Sequence, residues 1–218
     1  MNKEWAELNK TLQSQLKKEN TFVDGMKTVL VLRQKLFDVL CGLKTELTRE
    51  QFNSCPYSNA EGYHSKTIAY SIWHIFRIED IVAHTLIDHR EQILMTENYV
   101  DRINTPIITT GNELDGKQII EFSEALNRDE LYRYIAAVKN SSDNIISNLS
   151  FVDMKRKISD GDKEHLKQLN VVSKDEKAYW LIDYWCRKDV RGLIQMPFTR
   201  HWIMHVEACL RIKNRIKR

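Results

Sequence analysis

The sequence predicts an all-α protein built on a four-helix bundle, with an extra N-terminal helix and a long insertion before the last helix. Three observations predict it. Apolar residues recur at three- and four-residue spacing through four long segments. Helix breakers are sparse, with seven Gly and three Pro in 218 residues, so long helices run uninterrupted. Only Thr105 to Thr110 has the make-up of a short strand.

Each element follows from that spacing. Residues 2 to 18 place Trp5, Leu8, Leu12 and Leu16 on one side of an accessory helix. From Phe22 to Leu47 the period runs through Met26, Val29, Leu36, Leu40 and Leu43, broken only at Arg33, and predicts the first bundle helix. Thr48 to Ser65 holds Asn53, Ser54, Pro56, Ser58, Asn59 and Gly62, residues that favour turns, and reads as a loop. A second long helix spans Lys66 to His89, with Ile68, Ile72, Ile75, Ile78, Val82 and Leu86 facing inward. Residues 90 to 116 lose the period and form a long connection. A short helix over 117 to 125 precedes a third bundle helix, which Asn127 caps and which carries Leu131, Tyr134, Ile135, Val138, Ile145 and Ile146. Residues 150 to 195 are the least regular, with Ser159 to Asp162 as a turn and a short helix from Asp175 to Cys186, and read as an insertion covering one end. The last helix opens with Pro197 in its first turn and continues almost to Arg218.

Length suits one domain, residues 1 to 218. A hydrophobic share of 42% with 29% charged residues excludes disordered and fibrous classes. A net charge of +3, from 33 basic and 30 acidic residues, is too balanced to mark a nucleic-acid or membrane surface. The polar start Met1-Asn2-Lys3-Glu4-Trp5 lacks an apolar signal stretch, and no apolar run approaches membrane-spanning length, so a cytoplasmic location is expected. Cys41, Cys55, Cys186 and Cys209 form no CxxC pair and are expected as free thiols.

The histidines carry the chemistry. His201 and His205 stand about 40° apart on one face of the last helix, so both imidazoles reach one point in space. Phe198, Trp202, Ala208, Cys209 and Ile212 surround them, while Arg200, Glu207 and Arg211 lie opposite, so the pair points into the core. HxxxH alone is a weak motif, and the zinc-protease form needs Glu where this chain has Trp202. His74, at the margin of the apolar face of the second long helix, supplies a third imidazole. Two readings follow from the residues alone: core histidines satisfied by carbonyls or side chains, or a metal site formed by His74, His201 and His205. His64 and His165 read as loop residues, His84 falls on a polar arc and His89 sits at a helix end, so all four are expected in solvent. Cys209 reads as packing. Tyr70, one turn before His74, has two readings, a cavity-lining proton donor or, the commoner case, packing with its hydroxyl at the surface. Glu79 reads equally as a partner that orients an imidazole or as an ion pair with a neighbouring helix, and Asp80 is expected to be solvated.

Two stretches resemble the DinB/YfiT superfamily of metal-dependent enzymes. Thr67-Ile-Ala-Tyr-Ser-Ile-Trp-His-Ile-Phe-Arg-Ile-Glu-Asp80 is similar to its second-helix histidine motif, and Met196-Pro-Phe-Thr-Arg-His-Trp-Ile-Met-His-Val-Glu-Ala208 to its last-helix HxxxH. The resemblance covers the helical core, roughly residues 22 to 89 and 127 to 217, with specific matching confined to these motifs. It implies a four-helix bundle with a long crossover and maps His74, His201 and His205 onto the family's metal triad. The chain departs from the family in its extra N-terminal helix and in Ser150 to Gln195. Some relatives are thiol-dependent S-transferases or isomerases, so the resemblance implies a divalent metal, zinc or nickel foremost, and a small-molecule substrate with a low-molecular-weight thiol. Three histidines with an open fourth position also suit a hydrolase using metal-activated water. A third alternative is a non-enzymatic stress-response or binding module with structural histidines, whose basic tail of Arg211, Lys213, Arg215, Lys217 and Arg218 contacts nucleic acid, although such a cluster commonly complements a helix dipole. An exposed helix pair is also compatible with a homodimer.

Overall fold

A computed structural model describes residues 2–58 and 65–217. Among the described residues twelve α-helical segments succeed one another: α1 Lys3–Gln15, α2 Glu19–Glu46, α3 Arg49–Asn53, α4 Ile68–Asp80, α5 Ile93–Thr96, α6 Tyr99–Ile103, α7 Gly116–Ala125, α8 Arg128–Ser147, α9 Asp160–Gln168, α10 Glu176–Cys186, α11 Val190–Gln195 and α12 Arg200–Ile216. The described residues contain no β-strand, only an isolated bridge between Lys157 and Asp189. The four long helices contact one another in the cyclic order α2, α8, α4, α12, and α1 lies along α2. One continuous cluster of buried apolar side chains runs from Trp5 to Ile212. Gly25 permits the tight approach of α1, because a Cβ there would stand 3.0 Å from both Gln15 Cβ and Leu16 Cδ2.

Helix starts follow local capping chemistry. Thr67 accepts a hydrogen bond from the Tyr70 amide (2.9 Å) and opens α4. Asn127 caps α8 through the amides of Asp129 and Glu130, as its position predicts. Thr48 and Gln51 form a reciprocal capping box, so the expected loop begins with α3. Ser159 and Asp162 form a second box, so the expected turn is the start of α9. Pro197 lies in the turn before α12, which begins three residues later.

α4 does not reach His89 as a regular helix. After Asp80 it widens into a π-helix over Ile81–Ile87 and ends at His89, whose φ of 55° is left-handed. His84 is therefore buried, not in solvent: Nδ1 lies 2.8 Å from the Asp80 carboxylate and Nε2 lies 2.8 Å from the Ser141 hydroxyl. Asp80 is fully buried instead of solvated. It accepts hydrogen bonds from the Ile93 and Leu94 amides and from Tyr134, which fastens α5 and α8 to α4. Burial opposes its charge, but His84, Arg77 and the Leu94 amide outweigh burial and hold its pKa below the usual carboxylate range. Arg33 does not interrupt the apolar face of α2. It is buried, forms a bidentate pair with Glu79 of α4 and lies 4.5 Å from the Trp202 ring.

Thr105 to Thr110 is not a strand. Four successive carbonyls of this connection are taken by side chains of α4: Arg77 donates to Ile108, Trp73 to Thr109, His74 to Thr110 and Tyr70 to Gly111. A single helix face thus does what a partner strand would otherwise do for a buried backbone.

Candidate metal centre

α4 and α12 are neighbours, and they bring His74, His201 and His205 together. Their ring centroids are 5.0 Å (His74–His201), 4.8 Å (His74–His205) and 4.5 Å (His201–His205) apart. One ligand atom from each lies within 4.8 Å of the others, a group that can hold a metal ion. His74 Nε2 and His201 Nε2 are 3.2 Å apart. Two nitrogens each about 2.05 Å from one tetrahedral zinc stand about 3.3 Å apart, so the pair already has the edge length of such a site.

The surrounding chain orients His74. Its Nδ1 donates to the Thr110 carbonyl (2.9 Å), which leaves Nε2 with its lone pair facing the other two rings. Tyr70 stacks on the imidazole, 5.6 Å between centroids and 11° between planes, and its hydroxyl donates to the Gly111 carbonyl (2.9 Å) instead of reaching the surface. Burial pushes the Tyr70 phenol well above its ordinary pKa, so it remains protonated as that donor. Gly111 has φ +78°, and a Cβ there would lie 3.0 Å from Tyr70 Cε2; both the backbone twist and the close approach need glycine.

Burial also sets the charge state. Desolvation lowers the His74 pKa from 6.5 to about 4, against the hydrogen bond to Thr110, with the Lys66 ammonium lowering it further. His201 and His205 lie well below the ordinary value through desolvation and then through their imidazole neighbours. All three are neutral at physiological pH, with lone pairs open to a cation without proton competition. His201 Nδ1 is buried and has no hydrogen-bond partner among the described residues. Leaving such an atom unpaired costs about 1–3 kcal/mol.

The imidazoles floor a cavity of about 260 Å³. α10 roofs it with Trp180, Leu181 and Tyr184, and Asn112 contributes an amide from the connection before α7. The expected insertion thus covers the histidines, but its aromatic residues and Asn112 were not predicted. The EKAYWLIDYW run of α10 is a sequence signal that could have marked the aromatic residues, whereas no pattern marks Asn112.

The remaining histidines stay apart. His89 and His165 are exposed; both line a separate hollow of about 380 Å³, where His89 is turned to Asp162 and Arg156. His64 lies outside the described residues. Cys209 is buried, and burial pushes its thiol up to about 12, which suits packing and not ligation. In the basic tail Lys213 and Lys217 pair with Glu46 of α2, and Arg218 lies outside the described residues. No described helix is long and apolar enough to cross a membrane. No protein-family model and no curated protein matches the chain, so the resemblance to the DinB/YfiT superfamily rests on the two histidine motifs.

Proposed function

We propose that this protein is a metal-dependent enzyme of the DinB-like type, foremost a thiol-dependent S-transferase, with a divalent cation, zinc or nickel, held by His74, His201 and His205. The ring of α2, α8, α4 and α12 is then the family's bundle, with residues 90 to 126 as its crossover. The reading is carried by one observation: three neutral imidazoles converge at the floor of a cavity instead of being dispersed in the core. Structural zinc sites are closed by four protein ligands, whereas three histidines leave a position for substrate. When bound, the cation would lower the pKa of a thiol or water and so supply a nucleophile at neutral pH.

The chain's own residues prepare that position. Thr110 fixes the His74 tautomer, Tyr70 fixes the plane of its ring, and Trp180 and Tyr184 restrict water above the imidazoles. The test is elemental analysis of tag-free protein beside a His201→Ala/His205→Ala variant. About one equivalent of zinc or nickel in the native chain, absent from a variant of unchanged helicity, supports the site. No metal in either after incubation with both ions removes the proposal. Turnover of an electrophile that requires an added thiol marks the transferase, and turnover with water alone the hydrolase.

A further inference from the structure

The cavity over the histidines has a chemical bias of its own. Apart from the imidazoles its lining is aromatic, aliphatic and amide, and no Lys, Arg, Asp or Glu among the described residues lines it. With no cation on the imidazoles, a charged group entering such a chamber loses its hydration and meets no charged side chain in the lining; the Lys66 ammonium, which acts on His74 and His205, stands outside it. Trp180 is 51% exposed, an unusual position for indole, and Nε1 donates to the Lys177 carbonyl (2.9 Å), which holds the ring in place. Tyr184 meets it edge-on at 5.5 Å, so the roof is a fixed aromatic surface with apolar area still to bury.

Against this background Asn112 stands out. Its Oδ1 accepts a hydrogen bond from the Thr110 hydroxyl (2.8 Å), so the amide orientation is set and Nδ2 points away from Thr110, on a half-buried side chain that borders the cavity. The same Thr110 holds His74 through its carbonyl. Asn112 and the imidazoles therefore line one chamber, and Thr110 is bonded to both Asn112 and His74.

We propose that the chamber selects an uncharged, mostly apolar molecule bearing a hydrogen-bond acceptor such as a carbonyl oxygen, and that the Asn112 amide is the donor that receives it. This names the acceptor substrate class for the site described above and rests on that reading for its catalytic meaning. Asn112 is thereby a specificity-determining residue, and Trp180 the surface against which the flat part of the substrate packs.

The test uses three probes of one shape, benzamide, benzoate and benzylamine, titrated by tryptophan fluorescence into chelator-treated protein so that no cation can ligate the carboxylate. Benzamide is expected to bind with the charged probes about tenfold weaker or worse. Asn112→Asp keeps the acceptor for Thr110 and replaces the amide donor with a carboxylate. It is expected to weaken benzamide about 3- to 10-fold, the worth of one hydrogen bond, and to raise the affinity for benzylamine. That exchange of preference is a readout that loss of folding does not produce. Equal binding of a charged probe, no binding of any probe into the millimolar range, or an unchanged ranking in Asn112→Asp overturns the proposal. Metal uptake is measured separately: zinc binding with failed selectivity leaves the metal site and removes the substrate class, and selectivity without zinc binding does the reverse.

Discussion

Replacing Glu79 with Gln removes one charge from the centre of the helix ring and changes almost no volume. Arg33 is fully buried and all five of its N–H groups are engaged: Nε with Asp143 (2.6 Å), Nη1 with Glu79 Oε2 (2.8 Å) and the Phe198 carbonyl (3.1 Å), Nη2 with Glu79 Oε1 (2.7 Å) and the Ser142 hydroxyl (2.9 Å). In Glu79→Gln an amide N–H₂ faces a guanidinium N–H, and the buried cation keeps only Asp143, whose side chain is 19% exposed. Breaking a buried pair from one side costs about 3–5 kcal/mol. Asp143 retains part of the counter-charge, which places this loss near the lower bound, about 3 kcal/mol. For a chain of this length that corresponds to a Tm fall of about 6–12 °C. Guanidinium chloride unfolding followed by far-UV circular dichroism gives the number directly. The double variant Arg33→Met/Glu79→Met, which removes both charges, is expected to lose less than Glu79→Gln alone. A loss under about 1 kcal/mol, the worth of an exposed pair, or single-variant losses that simply add, refutes the reasoning.

Gly111→Ala forces a left-handed residue against Tyr70 and shifts the Thr110 carbonyl from His74; zinc affinity should fall about 10- to 100-fold, read by competition with a chromophoric chelator. The metal-free protein should lose stability as pH falls from about 6.5 towards 4. In that window the unfolded histidines take protons that the folded ones refuse, and the shift of His74 from 6.5 to about 4 alone amounts to about 3 kcal/mol, visible as a falling denaturation midpoint. Gly25→Ala gains about 1 kcal/mol of helix propensity but drives a methyl into Gln15 and Leu16; a net loss with faster proteolysis around residues 16 to 18 is expected, and an unchanged midpoint would mean that α1 slides freely.

The long helices were legible because each buries a periodic apolar stripe, a signal spread over many residues. Asn127 was legible for a local reason, since one side chain serves its own helix's amides. Connections failed where the decisive partner was distant. Nothing between Thr105 and Gly111 reveals that its carbonyls meet side chains of α4 instead of a strand. His84 was misplaced because a regular helical wheel assumes 3.6 residues per turn throughout, and the π-helix over Ile81–Ile87 breaks that assumption where it sits. Asp80 was misplaced because the partners that bury it, the Ile93 and Leu94 amides and Tyr134, are distant in sequence.

The site divides along the same line. Imidazole is a residue type with few roles in a core, so His201 and His205 one turn apart, with a third ring on another apolar face, pointed to one locus before any coordinates. Asn, Trp and Tyr have many roles, and a single Asn in an aperiodic connection carries no pattern. Asn112 gains meaning only because Thr110 occupies one half of its amide while the other half borders the histidines. The α10 aromatics show the converse. Their run was visible, but a helix carrying Trp180 and Tyr184 is ambiguous between core and surface until its neighbour is known. Here Trp180, half in solvent, and Tyr184 line the same cavity as three neutral imidazoles, and on the proposal above the exposed indole is apolar area that a ligand would cover.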